Sequence, residues 1–235
     1  MLRTIIYFSI IYFCSCKNEK QFYRFEFPEI IQLDKHDTVE YLKPKGLLGV
    51  YPTIVNKFKF SKEIQINFDS LWKEQFDTSD FIYSTWELIR SDSFNNDGFQ
   101  IIADFNTDIA YTDFKGYKPY HYVFPVYIIN ETNKTKLLTA KDSWVFATQE
   151  AKFENLWKPI EKDGFDFCGN GAWGLKIHPN EFAMFLMKKY NGNYKTQLRT
   201  KLRIGENWYL SKPYEGFIDT IQFLPKSYIN KPNSK

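Results

Sequence analysis

Over residues 193–204 the chain alternates without a break, with Tyr194, Thr196, Leu198, Thr200, Leu202 and Ile204 in one phase and Lys195, Gln197, Arg199, Lys201 and Arg203 in the other. A period of two over that length predicts one β-strand, with one face buried and a row of cations on the other. The preceding run, residues 181–190, also fits a helical face through Phe182, Phe185 and Leu186. Asn191-Gly192 decides for a strand, because Asn-Gly between two apolar runs is a strong signal for a two-residue hairpin with φ > 0 at both central positions. Residues 181–190 and 193–204 are therefore expected to pair with each other, with Leu198 and Leu202 in the core.

Short apolar runs separated by Asn, Asp, Gly and Pro recur from about Tyr51 onward. Residues 85–90 and 99–105 flank a turn-rich stretch and predict another hairpin. Residues 122–130, apolar up to the closing Asn130, are interrupted by Pro125, which suggests an edge strand, a bulge or a strand start. Residues 143–148, Trp208-Tyr209-Leu210 after a turn at Gly205-Glu206-Asn207, and residues 216–223 complete the set. Phe68, Leu71, Trp72 and Phe76 have helical spacing and mark one short helix. Strands spaced by roughly 8–12 residues predict an all-β fold, an immunoglobulin-like antiparallel β-sandwich with at most one short helix.

The first residues follow a different pattern. Met1-Leu2-Arg3 precedes an apolar run from Thr4 to Phe13, then Cys14-Ser15-Cys16, and the chain turns polar at Lys17-Asn18-Glu19-Lys20. A helix of about ten residues is only ~15 Å long, against a hydrocarbon core of ~30 Å, so this is a signal peptide and not a membrane span. Its end, Phe13-Cys14-Ser15-Cys16, resembles the lipobox of bacterial lipoproteins, with Phe13 where that pattern usually carries Leu. The resemblance implies lipidation of Cys16 and a location in the cell envelope, as an outer-membrane lipoprotein held by its N-terminal lipid. Acyl chains at ~0.8 kcal/mol per buried methylene would hold the protein stably on a bilayer.

These features divide the chain into a signal peptide at 1–16, a tether at 17–45, a sandwich domain at 46–228 that could split near 110–120, and a tail at 229–235. The formal net charge of +3 gives no nucleic-acid footprint. Two of the three cysteines lie in the signal, and Cys168 alone cannot form a disulfide or a cysteine-based zinc site within the chain.

Candidate chemistry is sparse. Gly169-Asn170-Gly171-Ala172-Trp173-Gly174 is a literal G-x-G-x-x-G, but a dinucleotide needs those glycines to open a helix, and Leu175-Lys176-Ile177-His178-Pro179 reads as a strand. Cys168 and His178, with Asp163 or Asp166 to orient the imidazole, are the candidates for a nucleophile and base; a buried structural cysteine and a loop histidine are the plainer expectation. His36, His121 and His178 have no metal-ligand spacing, and Glu161, Asp163 and Asp166 match no calcium loop, so a solvated acidic loop and no metal or cofactor are expected. Lys195, Arg199, Lys201 and Arg203 form a possible anion-facing stripe, although exposed strands often carry such charges to resist edge pairing.

The runs Trp157-Lys158-Pro159-Ile160-Glu161, Cys168-Gly169-Asn170, Leu175 through Glu181, Gly192 through Arg199 and the closing 216–223 together resemble a group of uncharacterised lipoproteins from Bacteroidetes. The resemblance covers about the last half of the mature chain and implies a sandwich and an envelope location, with no activity or catalytic residues. The expectation is a non-enzymatic binding module at the membrane with a protein or glycan partner and no nucleic acid. An immunity or self-protection lipoprotein against a toxin is one alternative, and a hydrolase using Cys168 and His178 is the other.

Overall fold

The computed structural model describes residues 24–34, 36, 38–44, 46–50, 52–68, 78–83, 98–112, 119–141, 144–163, 171–204 and 207–224. The signal peptide with Cys16, the helix expected around Leu71–Phe76, the strand expected at 85–90 and Cys168 lie outside these residues. Among the described residues, eighteen β-strands follow in order. The first nine are β1 (Glu29–Gln32), β2 (Val39–Glu40), β3 (Leu48–Val50), β4 (Ile54–Lys59), β5 (Glu63–Ile66), β6 (Phe81–Tyr83), β7 (Phe99–Ala103), β8 (Ile109–Tyr111) and β9 (Tyr120–Asn130). The rest are β10 (Lys136–Lys141), β11 (Ala147–Phe153), β12 (Leu156–Pro159), β13 (Glu161–Asp163), β14 (Ala172–Ile177), β15 (Glu181–Lys188), β16 (Tyr194–Ile204), β17 (Asn207–Leu210) and β18 (Tyr214–Ile218). No helix among the described residues is long and apolar enough to cross a membrane.

The middle of the molecule is the antiparallel pair β9–β15, in register from Asn130↔Glu181 to Val123↔Lys188. Both faces of this pair are buried. Phe124, Val126, Ile128, Ala183, Phe185 and Met187 point into one core, and Tyr127, Ile129, Phe182, Met184 and Leu186 into a second. A strand buried on both sides has no polar phase, which is why residues 181–190 read ambiguously between helix and strand. β4, β2, β7 and β8 complete this six-stranded sheet.

On one side the first core is closed by the three-stranded sheet β10-β14-β6 and by Ala147 and Leu202 of β11 and β16. On the other side Ile64 and Ile66 of β5, Ile30 of β1, Phe25 and Phe60 close the second core. A five-stranded sheet, β12-β11-β16-β17 with β18 also on β16, buries Ala151, Leu198 and Ile218 against Ile160 and Tyr190 in a third core. The all-β sandwich expected from the sequence is present, with three parallel pairings added: β1–β5, β3–β13 and β2–β9.

Strand β16 matches its predicted period, and Leu198 and Leu202 are buried as expected. Its predicted partner is wrong. β15 pairs with β4 and β9, whereas β16 pairs with β11, β17 and β18, so Asn191-Gly192 carries the chain from one sheet to another. Neither residue has a positive φ; among the described residues, the two-residue hairpin with two positive φ values is Glu154-Asn155, between β11 and β12. Gly192 is required for a different reason, because a Cβ there would overlap the backbone of Ile218 and Asp219.

Pro125 is not at an edge either. It sits within β9, between the last β7 pair at Ala103↔Val126 and the first β8 pair at Ile109↔Val123. Its carbonyl accepts from the Asp104 amide at 3.0 Å on that side. In a strand the amide and carbonyl of one residue point the same way, so the missing N–H faces the connection between β7 and β8 rather than a paired strand.

The tether expected over 17–45 joins the fold earlier than its polar composition suggests. Phe25 packs on Tyr127 and Phe182, β1 pairs with β5, and β2 pairs with β9. The last predicted strand, 216–223, stops at Ile218, because Asp219 caps a 3-10 turn at Thr220–Phe223.

Candidate functional site

Residues directly paired across two strands share a face, so the register of β16 lists what stands beside its cations. Lys195 lies opposite Phe217, Gln197 opposite Glu215, Arg199 opposite Glu150, Lys201 opposite Leu210 and Arg203 opposite Trp208. Glu150 in turn lies opposite Pro159 on β12, which brings Trp157 onto the same outer face. The predicted stripe is therefore one column of a mixed cationic and aromatic surface.

The contacts tie the columns together. Arg199 Nε donates to Glu150 Oε2 at 2.8 Å, and the guanidinium lies 4.2 Å from the centre of the Trp157 ring. Lys201 Nζ lies 3.4 Å from the other Glu150 oxygen and 4.2 Å from the Trp208 ring centre. Lys195 pairs with Glu215 at 3.0 Å, and Arg203 sits 5.9 Å from the Phe146 ring. The Arg199–Glu150 pair is mostly buried, whereas Lys195 and Glu215 are both exposed and their pair stabilises little. Each cation on a ring contributes about 0.5–2 kcal/mol, according to how dry it is.

Among the described residues of this face, the cations Lys195, Arg199, Lys201 and Arg203 stand beside two carboxylates, Glu150, which serves two cations at once, and Glu215. The face also exposes apolar surface: Trp208, Leu210 and Phe217 are 36%, 45% and 44% accessible. An arrangement of this kind can hold an anion and pack an apolar ring side by side.

Beneath that face lies a buried polar network. Glu161, expected in a solvated acidic loop, instead opens β13 and is buried. Its carboxylate accepts from Tyr190 Oη at 2.7 Å, from the Gln149 amide at 2.7 Å and from Gln149 Nε2 at 2.9 Å. Burial pushes its pKa up to about 7, against the pull of these donors and of the Lys188 charge. Tyr214 Oη donates to Gln149 Oε1 and meets Thr200 Oγ1 at 3.1 Å, linking the network to the inner phase of β16. The crevice at Glu161, between Thr53, Tyr111 and Lys188, leaves about 10 Å³ open to the centre of a water molecule, far too little for an organic substrate.

His178 follows β14 and has both ring nitrogens engaged. Nδ1 meets Thr135 Oγ1 at 2.9 Å and Nε2 meets Asp80 Oδ1 at 2.9 Å. Lys57 Nζ bridges Asp80 at 2.7 Å and Glu181 at 2.6 Å. Burial would raise the Asp80 carboxyl, but hydrogen bonds from Lys57 and His178, and their charge, hold it below its ordinary value. This cluster ties Thr78–Asp80 and the β9–β10 connection to the end of the six-stranded sheet.

The remaining sequence candidates do not converge. Asp166, like Cys168, lies outside the described residues. Gly171 has φ +84° and leads into β14, so a strand and not a helix follows it. His36 pairs with Asp34 at 2.7 Å and stacks on Tyr120, while His121 lies on β9, far along the chain from His178. Sequence pattern alone gives Glu150, Trp157, Trp208 and Gln149 no functional role; strand pairing is what brings them to the five-stranded sheet's site. No protein-family model matches this chain, and neither any curated protein nor any solved structure shows a significant similarity to it.

Proposed function

We propose that this protein is an envelope lipoprotein, anchored through Cys16, whose β body is a non-catalytic binding module working through the outer face of the five-stranded sheet. The observation that carries this reading is the pair of stacked cations, Arg199 on Trp157 and Lys201 on Trp208, each 4.2 Å from a ring centre on one sheet face. Such side chains are held in place before a ligand arrives, so less ordering entropy opposes binding. The anchor is supported by the short apolar run and Ser15-Cys16. A hydrolase built on Cys168 and His178 has weaker support, because Thr135 and Asp80 already occupy both imidazole nitrogens.

Replacing Cys16 with alanine tests the anchor. The native chain should fractionate with membranes and carry the mass of a chain starting at an acylated Cys16, while Cys16→Ala should leave the membrane fraction. A Cys16→Ala chain that stays membrane-bound with unchanged mass contradicts the lipoprotein reading.

A further inference from the structure

We infer that the Trp208 corner of this face binds an acidic glycan, with a pyranose ring packed on the accessible side of Trp208 that Lys201 does not cover and its anionic substituent between Lys201 and Arg203. The inference rests on the binding-module reading above and names its ligand class. Trp208 lies directly opposite Arg203, and Lys201 Nζ lies 4.2 Å from the ring centre. Neighbouring strands stand about 4.8 Å apart and alternate residues about 7 Å apart, so the ring and both cations fit the footprint of one sugar unit. One face of a pyranose presents C–H groups, which pack on the electron-rich face of an indole, while a carboxylate or sulfate pairs with the cations. A neutral sugar uses only the ring and a free anion only the charges; an acidic sugar uses both.

The same pairing recurs at the opposite corner, where Arg199 lies on Trp157. Trp157 and Trp208 are three strands and six residues apart in register, roughly 25 Å, which suits a polymer rather than a single sugar. Phe25 enters the fold against Tyr127 and Phe182, on the side of the six-stranded sheet away from β16, so the first described residues lie across that sheet from the cationic face. A bilayer surface offers charge but no ring to pack on the indole, so the paired tryptophans favour a glycan over lipid headgroups.

Calorimetric titration of the full chain at low salt tests this, using polygalacturonate and dextran sulfate as acidic glycans, with neutral dextran, inorganic phosphate and phosphatidylglycerol vesicles for comparison. At least one acidic glycan should bind, and neutral dextran should not. Trp208→Ala and Arg203→Glu should each weaken binding about tenfold or more, Trp208→Phe should retain most of it, and Leu156→Ala, exposed at the start of β12, should change nothing. Acidic-glycan binding that ignores Trp208→Ala, or a preference for phosphate or vesicles, overturns the glycan while leaving an anion-binding face. Failure of every anionic probe overturns both.

Discussion

Replacing Gly192 with alanine should destabilise the protein by about 4 kcal/mol or more, an unusually large loss for one methyl group. The added Cβ would overlap the carbonyl group of Ile218 and the amide nitrogen of Asp219, and backbone cannot swing aside as a side chain can. Neither neighbour is free to retreat. Ile218 is fully buried and paired with Tyr194, and Asp219 caps the Thr220–Phe223 turn through the Ile221 amide. Asn191, exposed beside it, should tolerate alanine with little change. Urea denaturation of the two variants checks this; a Gly192→Ala midpoint close to that of the native chain would mean that the two backbones do not approach so closely.

The second large effect is a pH dependence centred on Glu161. Its ordinary value of 4.5 is raised by burial to about 7 in the folded chain. Below about pH 4.5 the carboxyl is protonated in both folded and unfolded chains, and its contribution to stability is intact. Between about 4.5 and 7 the unfolded chain ionises first, so stability falls, by roughly 3 kcal/mol in all at 1.36 kcal/mol per unit. Glu161→Gln removes this titration. The stability difference, native minus variant, should therefore drop by that amount as pH rises through this window. A difference that stays constant with pH would show that Glu161 keeps an ordinary pKa.

These two positions also show where sequence stops being legible. β16 could be read because one of its faces is wet, so its polar phase survives in the sequence. β15 could not, because it is buried on both faces and only its apolar character remains. Asn191-Gly192 signalled a tight hairpin on local preference alone, yet a glycine is also what close backbone contact demands, and here that second requirement prevails. Among the described residues, the two-residue hairpin turn with positive φ at both positions is Glu154-Asn155, where only Asn155 is a residue that favours positive φ. Glu161 reads as solvated because it stands with Asp163 and Asp166 in an acidic run; its burial depends on Tyr190 and Gln149, contributed by distant strands. The cations of the face were legible as a row, but Trp157, Trp208 and Glu150 reach them only through strand pairing, which no local pattern encodes.

The central claim, that the outer face of the five-stranded sheet is the working surface, is tested most directly by photocrosslinking in living cells. A photoreactive phenylalanine analogue would replace Phe217 on that face, or Leu33 beyond β1 on the far side of the molecule; both positions are exposed, at 44% and 52%. Illumination should yield a discrete adduct of altered mobility from position 217, weakened by Arg199→Glu with Arg203→Glu, and none from position 33. Adducts from position 33 alone, or adducts from position 217 that ignore the charge reversals, would contradict the assignment.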